Sequence, residues 1–218
     1  MEIEINQNTI VVFDLDDTLY NEIDFLRSAY IVIAKQLNPN NWELLFANMF
    51  SRYRQQLDVF EFLSKTYTVP KNQLVEVYRN HTPQITPKQN VLSVFEKIKE
   101  KKGKIAIITD GRATTQKQKL KALGIQEFLD LVIISEDTGF EKPHKNNFQF
   151  VENKFGNGNY YYIADNFKKD FIAPNNLSWQ TIALIDGGLN IHNDSYKYLE
   201  KDHLPNNFIF SFEDLIIK

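Results

Sequence analysis

The sequence predicts an α/β protein with a Rossmann-like parallel sheet core and an inserted all-helical domain. Short apolar runs, rich in β-branched residues, alternate with stretches of helical periodicity, which is typical of a parallel sheet with crossover helices. Each run ends in Asp or Ser, and ligands of such sheets bind beyond the carboxyl ends of the strands. The predicted strands are residues 9–16, 104–110, 131–135, 160–165 and 181–186.

A segment with only helical patterns follows the first predicted strand. Its apolar residues repeat at helical spacing, and prolines interrupt the pattern. We therefore predict a sheet-containing core of residues 1–18 and 87–218 and a helical insert of residues 19–86. The helices of the insert are expected over residues 25–37, 41–57, 59–67 and 71–81.

Two amphipathic helices are predicted on either side of the second strand. Val91, Val94 and Ile98 lie on one helical face, and Gly103 is placed to end that helix. Residues 114–124 repeat the arrangement and also close with a glycine. These helices would supply the crossover connections that parallel strands need.

The composition indicates a globular protein that acts on small partners. The chain has 218 residues, of which 43% are apolar, and a formal net charge of −3 with acids and bases interspersed. The sequence has no basic patch of the kind that indicates nucleic acid binding. It also has no apolar stretch that would indicate a membrane span or an export signal. Because there is no cysteine, any metal must be held by oxygen or histidine ligands. We expect a cytoplasmic protein, monomeric or homodimeric, without a nucleic acid or membrane partner.

Asp14 and Asp16 stand two residues apart at the end of the first predicted strand. Residues two apart in a strand project to the same side, so both carboxylates can reach the space beyond the sheet. Two carboxylates that share a site repel each other unless a cation compensates, and Mg²⁺ prefers such oxygen ligands. Asp165 ends another predicted strand and is a candidate third ligand. The pattern therefore predicts a magnesium site.

A metal held by acids attracts phosphate, and the remaining residues fit phosphoryl transfer. Asp14 is the candidate nucleophile that attacks phosphorus, and Asp16 can protonate the leaving oxygen and then deprotonate water. Thr109 offers a hydroxyl donor, and Gly111 permits close approach of the backbone. Lys142 is the candidate cation that offsets the repulsion between Asp14 and a phosphate dianion.

These residues lie in segments that resemble the four motifs of the haloacid dehalogenase-like hydrolase superfamily. The segments are, in motif order, "DLDDTLY" (14–20), "ITDG" (108–111), "FEKPHKNNF" (140–148) and "IADNFKKD" (163–170). The resemblance implies Asp14 as the nucleophile, Asp16 as the acid/base, and Thr109 and Lys142 as phosphate-binding residues. It also implies that Asp14, Asp165 and the backbone carbonyl of Asp16 hold Mg²⁺, and that the helical insert is a C1-type cap.

The resemblance also separates activities within the superfamily. Dehalogenases of this fold lack an acid at the position of Asp16, because a halide leaving group needs no proton, so Asp16 favours a phosphatase. A cap of this size is expected to enclose the site and to exclude macromolecules. We therefore expect a small phosphorylated metabolite, such as a nucleoside monophosphate or a sugar phosphate. The predicted substrate-binding residues are Thr109, Asp110, Gly111 and Lys142.

Several points stay open at the level of sequence. Ala164 stands where the family usually has Gly and Phe167 where it often has Pro, and both concern the shape of the turn. Asp170, the second acid of the fourth motif, is either a metal ligand or a helix-start acid, and Asp17 could cap the next helix. The alternative functions are a phosphomutase, which returns the phosphoryl group to its substrate, a phospho-receiver signalling domain, and a non-catalytic binding protein of the same fold.

Overall fold

The computed structural model describes residues 1–218 and divides them into two compact units. Residues Met1–Glu22 and Thr86–Lys218 form the sheet-containing unit, and residues Ile23–Ile85 form the helical unit. The helical unit therefore begins a few residues later than the predicted insert. The reason lies in a hydrogen bond, because the amide of Glu22 donates to Asp17 Oδ1 at 2.8 Å and ties the start of the first helix to the acidic segment.

The strands belong to two parallel sheets. They are β1 (Glu2–Ile3), β2 (Thr9–Phe13), β3 (Lys104–Thr109), β4 (Leu131–Ile134), β5 (Asn159–Ala164), β6 (Gln180–Leu184), β7 (Asn207–Ile209) and β8 (Ile216–Ile217). Six of them form one sheet in the order β4-β3-β2-β5-β6-β7, and β1 pairs with β8 separately. All pairs are parallel, so β2, β3 and β5 have their carboxyl ends at the same edge of the sheet.

Helices precede and follow the strands in alternation, and this arrangement confirms the predicted α/β fold class. The helices are α1 (Glu22–Leu37), α2 (Trp42–Arg54), α3 (Val59–Tyr67), α4 (Lys71–Asn80), α5 (Val91–Glu100), α6 (Ala113–Ala122), α7 (Ser135–Thr138), α8 (Asn146–Phe155) and α9 (Ile172–Asn176). None of them combines the length and the apolar character that a membrane span requires.

The central strand β2 is held from both faces of the sheet. All five of its residues are buried, as expected for a strand that reads as a continuous apolar run. Val12 packs in the same apolar cluster as Phe148 and Tyr162, whereas Phe13 contacts Phe95 of α5 at a ring-centroid distance of 5.0 Å. Because burying a side chain of this size contributes about 1.5–3 kcal/mol, this packing stabilises β2 from both faces of the sheet.

The helical unit has an apolar core of its own. Tyr30 of α1 contacts Phe60 of α3 and Tyr78 of α4, with ring-centroid distances of 6.3 and 6.4 Å. Met49 of α2 and Leu63 of α3 are fully buried in the same cluster. The amphipathic pattern of each helix thus finds its partner within this unit.

Several features differ from the sequence prediction, and helices α7, α8 and α9 are among those that were not predicted. Strand β2 ends at Phe13, so Asp14 and Asp16 lie beyond the strand and the alternation of strand side chains does not govern their directions. Asp17 has a positive φ of 59°, which Asp tolerates better than most residues, and the chain turns there. The short strands β1, β7 and β8 were not predicted, because two or three residues carry too little pattern.

Candidate active site

A cavity of about 110 Å³ lies at the carboxyl ends of the central strands β2, β3 and β5. Since a water molecule occupies about 30 Å³ in the liquid, this cavity has room for a few small polar groups. All of its lining residues belong to the sheet-containing unit. Carboxylates dominate the lining, which consists of Asp14, Asp16, Asp17, Glu22, Asp110 and Asp165 together with Thr109, Asn166, Lys169 and His192.

Lys142 is not among the lining residues, but it is buried and joins two carboxylates, one of which is the lining residue Asp14. Its ammonium nitrogen lies 2.5 Å from Asp14 Oδ1 and 2.7 Å from Asp170 Oδ1, and the side chain is 0% exposed. The hydroxyl of Tyr162 donates to Asp170 Oδ1 at 3.2 Å, and the amide of Asn166 donates to Asp170 Oδ2 at 3.0 Å. Asp170 is therefore an anchor that holds Lys142 against Asp14.

Asp165 follows β5 and completes a cluster of three carboxylates. One oxygen from each of Asp14, Asp165 and Asp170 lies within 4.8 Å of the others. The hydroxyl of Thr18 donates to Asp165 Oδ1 at 3.0 Å, and the side-chain amide Nδ2 of Asn190 donates to Asp165 Oδ2 at 2.8 Å. Buried carboxylate oxygens at this separation suit a hard divalent cation such as Mg²⁺. The donor set therefore fits a metal ion.

This three-carboxylate cluster contains more negative than positive charge, and the pKa values reflect the excess. Burial raises the pKa of Asp14 to about 7, although Lys142 opposes the rise. Burial and the neighbouring Asp14 raise the pKa of Asp165 well above its usual value. Burial opposes the charge of Lys142, but Asp14 and Asp170 hold its pKa well above its usual range. All three shifts favour the uptake of positive charge, which a divalent cation would supply.

Asp16 is held by a different set of donors. Its carboxylate accepts hydrogen bonds from Lys119 Nζ at 2.6 Å, from Gln116 Nε2 at 2.8 Å and from the hydroxyl of Tyr20. Burial opposes the ionisation of Asp16, but Lys119 and these hydrogen bonds hold the pKa of its carboxyl below the usual value. Its carboxylate is thus attached to α6 and stands apart from the three-carboxylate cluster.

The predicted phosphate-binding segment begins at the end of β3. Thr109 and Asp110 line the cavity, whereas Gly111 is not among the lining residues. The side-chain amide of Gln116 donates to Thr109 Oγ1 at 2.5 Å. The amide of Gly111 donates to Ser135 Oγ at 2.9 Å, and its φ of +133° explains why glycine is required there. Thr109 is therefore the hydroxyl that this segment presents to the cavity.

The side chain of Asp110 is engaged within the protein. Its carboxylate accepts the backbone amide of Lys142 at 3.0 Å and the ammonium of Lys169 at 2.8 Å. These contacts connect the segment after β3 with the segments that carry Lys142 and Lys169. Asp110 therefore has a bridging role through its side chain, and its predicted role in substrate binding stays a prediction.

Asp17 closes the acidic segment and connects it to two other parts of the chain. Its Oδ1 accepts the amide of Glu22, the first residue of α1, at 2.8 Å, and its Oδ2 accepts the amide of Ile191 at 2.7 Å. The ammonium of Lys88 donates to the Asp17 carbonyl. Asp17 thus caps the first helix, which is the alternative that the sequence left open.

Burial and the nearby Asp16 raise the pKa of Glu22 to about 8.

Sequence reasoning missed several residues of this site. In the cavity lining these are Glu22, Asn166, Lys169 and His192, and among the residues that contact its carboxylates they include Gln116, Lys119 and Asn190. Gln116 and Lys119 lie three residues apart on one face of α6, a spacing that is visible in the sequence but common in solvent-exposed helices. Asn190 and His192 belong to the irregular segment after β6. Their positions depend on contacts that no local pattern reports.

Fold and site together define an α/β enzyme with an acidic, cation-attracting active site at the carboxyl edge of a parallel sheet. The sequence profile of the haloacid dehalogenase-like hydrolase family matches residues 11–184, which extend from β2 to the end of β6. The chain belongs to this family, and the resemblance predicted from four motifs is confirmed.

Several known proteins with similar sequences are named as phosphatases or nucleotidases. The glyceraldehyde 3-phosphate phosphatase of Methanocaldococcus jannaschii is 26% identical over 222 aligned residues, and the match covers 94% of each chain. The pyrimidine 5′-nucleotidase YjjG of Escherichia coli is 29% identical over 129 residues, which are 57% of each chain. The crystal structure of a HAD phosphatase from Thermococcus onnurineus has the same fold, with a TM-score of 0.61 and 18% identity over 94% of each chain. The named relatives support a phosphatase as the class of enzyme.

Proposed function

We propose that the protein is a Mg²⁺-dependent phosphomonoester phosphatase that works through an aspartyl-phosphate on Asp14. The observation that carries the proposal is the position of Asp14. It follows the central strand, lines a cavity of about 110 Å³ and contacts the buried ammonium of Lys142 at 2.5 Å. A carboxylate in this position can meet the phosphorus of a bound dianion beside a fixed cation.

The reaction has two steps that use the same two acids. In the first, a carboxylate oxygen of Asp14 attacks phosphorus, and the bond to the leaving oxygen breaks while Asp16 passes a proton to that oxygen. Because Lys119 and its hydrogen bonds keep Asp16 ionised, Asp16 must first take up this proton from water or from the monoanionic ester when the substrate binds. In the second, Asp16 takes a proton from water, the water oxygen attacks the phosphorus of the aspartyl-phosphate, and phosphate and Asp14 are released. General acid–base assistance of this kind contributes about 10²–10⁴-fold in rate.

The remaining residues bind and orient the phosphoryl group. Lys142 offsets the repulsion between Asp14 and the dianion, and Asp170 keeps Lys142 in place at 2.7 Å. Since Gln116 donates to Thr109 Oγ1, the hydroxyl hydrogen of Thr109 can point to a phosphate oxygen.

The metal would be bound by the acidic segment after β2 together with the acid after β5. Asp14, Asp165 and the backbone carbonyl of Asp16 would hold Mg²⁺, which when bound supplies positive charge to the phosphoryl oxygens. The close carboxylate oxygens of Asp14 and Asp165 support this assignment.

We further propose a small phosphorylated metabolite as the substrate and the helical unit Ile23–Ile85 as the cap domain. Two of the relatives are named for glyceraldehyde 3-phosphate and for pyrimidine 5′-nucleotides, and these are small phosphomonoesters. We therefore place these compounds first among the candidate substrates, followed by sugar phosphates.

Phosphate release from these esters, measured with Mg²⁺ and with EDTA, tests the proposal. We expect Mg²⁺-dependent release by the native protein and none by Asp14→Asn, because the amide cannot attack phosphorus. Asp137→Asn is the matched control, because Asp137 is an exposed acid that forms a surface ion pair with Lys117. Reduction of the quenched reaction with borohydride should convert Asp14 to homoserine, detectable by peptide mass spectrometry.

Different outcomes contradict different parts of the proposal. Full activity of Asp14→Asn would exclude the nucleophile assignment, and full activity in EDTA would exclude the metal. An isomeric sugar phosphate in place of free phosphate would indicate a phosphomutase. Release from phosphoproteins as fast as from small esters would contradict the cap assignment.

A further inference from the structure

Helix α6 places a buried polar pair next to the cavity. Of its three lysines only Lys119 is buried, with 4% exposure, whereas Lys117 and Lys121 are exposed. Gln116 is 1% exposed and lies on the same helical face as Lys119, beside the apolar Leu120. Burial of an ammonium and an amide costs free energy unless each finds polar partners. The partners of this pair therefore indicate its purpose.

Both side chains end on residues to which the proposed reaction assigns a role. Lys119 Nζ lies 2.6 Å from Asp16 Oδ1, and Gln116 Nε2 lies 2.8 Å from Asp16 Oδ2. The same Gln116 nitrogen lies 2.5 Å from Thr109 Oγ1. The hydroxyl of Tyr20 donates to Asp16 Oδ1 as well. Each oxygen of Asp16 thus has a donor, and rotation of this carboxylate would break a charge-assisted hydrogen bond.

We propose that Lys119 and Gln116 are positioning residues, which fix the acid/base carboxylate of Asp16 and the phosphate-binding hydroxyl of Thr109 in one hydrogen-bond network. The inference rests on the proposed phosphatase reaction. Lys119 acts through Asp16 alone, whereas Gln116 acts through both Asp16 and Thr109. The two residues should therefore have different kinetic signatures.

The signature of Lys119 follows from the leaving group. An alkyl phosphate must receive a proton as its oxygen leaves, whereas p-nitrophenolate leaves without one. A misplaced Asp16 therefore slows cleavage of the alkyl ester and has little effect on formation of the aspartyl-phosphate from the aryl ester. A loss of overall stability, in contrast, would lower both activities by the same factor.

The test compares kcat/KM for glyceraldehyde 3-phosphate and for p-nitrophenyl phosphate, in Mg²⁺, across four variants. For Lys119→Met we expect a loss of about 10²-fold on the alkyl ester and a loss about tenfold smaller on the aryl ester. Lys119→Arg keeps the charge and should recover part of the alkyl-ester activity. Gln116→Met should lower kcat/KM for both esters and weaken inhibition by inorganic phosphate, because Thr109 would be misplaced. Lys117→Met, which removes an exposed ammonium from the same helix, should change neither value.

Equal losses on the two esters in Lys119→Met, without recovery in Lys119→Arg, would overturn the inference and leave a structural role. Unchanged phosphate inhibition in Gln116→Met would overturn the part that concerns Thr109. If Lys119→Met does not fold, as judged by circular dichroism, the ester ratio of Lys119→Arg decides the question. A native protein that cleaves neither ester would overturn the proposed function itself, and this outcome differs from the others.

Discussion

Replacement of Lys142 by Met would test the charge balance of the three-carboxylate cluster. The methionine keeps most of the volume of the lysine stem but removes the ammonium that lies 2.5 Å from Asp14 and 2.7 Å from Asp170. Asp165 is the third carboxylate of this cluster. Without Lys142 and without a metal, no cation would contact Asp14, which is one of these three buried carboxyls.

The expected decrease in the free energy of unfolding follows from the burial of the ion pairs that Lys142 forms. Removal of one partner from a buried ion pair costs about 3–5 kcal/mol in the free energy of unfolding. Protonation limits the cost, because the pKa of Asp14 is about 7 even with Lys142 present and would rise further without it. The variant therefore binds more protons when folded, and its stability falls as the pH rises. At pH 8 we expect Lys142→Met to have a free energy of unfolding about 4 kcal/mol lower than that of the native protein. At pH 6 this difference should be smaller by about 1–2 kcal/mol, since one pKa unit corresponds to about 1.4 kcal/mol.

Urea unfolding in EDTA, followed by the fluorescence of the buried Trp179, measures this loss at the two pH values. Lys117→Met is the control, because its exposed pair with Asp137 should contribute only about 0–1 kcal/mol. Addition of Mg²⁺ should stabilise Lys142→Met if the carboxylates can still hold the cation. Equal stability of Lys142→Met and the native protein at pH 8 would refute the argument that excess negative charge dominates this cluster.

Two further predictions concern Glu22 and Gly158. The pKa of Glu22 is about 8 in the folded protein against 4.5 ordinarily, so native stability in EDTA should fall as the pH rises from 4.5 through 8. Glu22→Gln should not show the part of this pH-dependent loss of stability that Glu22 causes, which is at most about 1.4 kcal/mol per pKa unit. If the urea midpoints of the native protein and Glu22→Gln are identical at both pH 5 and pH 9, this prediction is wrong. Gly158→Ala should destabilise by about 1–3 kcal/mol, because the new Cβ would lie 2.4 Å from Ile10 Cδ1 and 2.6 Å from the Asn8 carbonyl oxygen. Gly187→Ala is the control, because nothing lies within 4 Å of a Cβ added at Gly187. If Gly158→Ala unfolds at as high a temperature as Gly187→Ala, the backbone around Gly158 can shift to accommodate the new Cβ, and the prediction is wrong.

The larger strands and the helices α1 to α6 were predictable from periodicity, whereas α7, α8 and α9 were not predicted. The run 104–110 corresponds to β3 at Lys104–Thr109, and the predicted helix 59–67 corresponds to α3 at Val59–Tyr67. The first run overshot β2, because Leu15 continues the apolar pattern although the strand ends at Phe13. Apolar spacing reports which face of a segment is buried, and it does so whether the segment is extended or turned.

The chemistry and the chain order of the acidic and basic residues were sufficient to identify the family and the candidate nucleophile. Four of the predicted site residues belong to short motifs that can be recognised without a structure, namely Asp14, Thr109, Lys142 and Asp165. The partners of Asp16 could not be predicted in this way. Lys119 stands 103 residues away from Asp16 along the chain, and nothing in the sequence distinguishes it from Lys117 and Lys121. Only the fold buries Lys119 and brings its ammonium to Asp16.

The same limit applies to Asp110, Asp17 and Asp170. The sequence predicted Asp110 as a substrate-binding residue and left open whether Asp17 caps a helix and whether Asp170 holds the metal. The fold directs Asp110 to Lys169, Asp17 to the start of α1 and Asp170 to Lys142. Local sequence reports the chemistry that a side chain carries and the face on which it stands. The partner of a buried charge depends on which strands and helices meet, because long-range packing decides which groups lie within hydrogen-bonding distance.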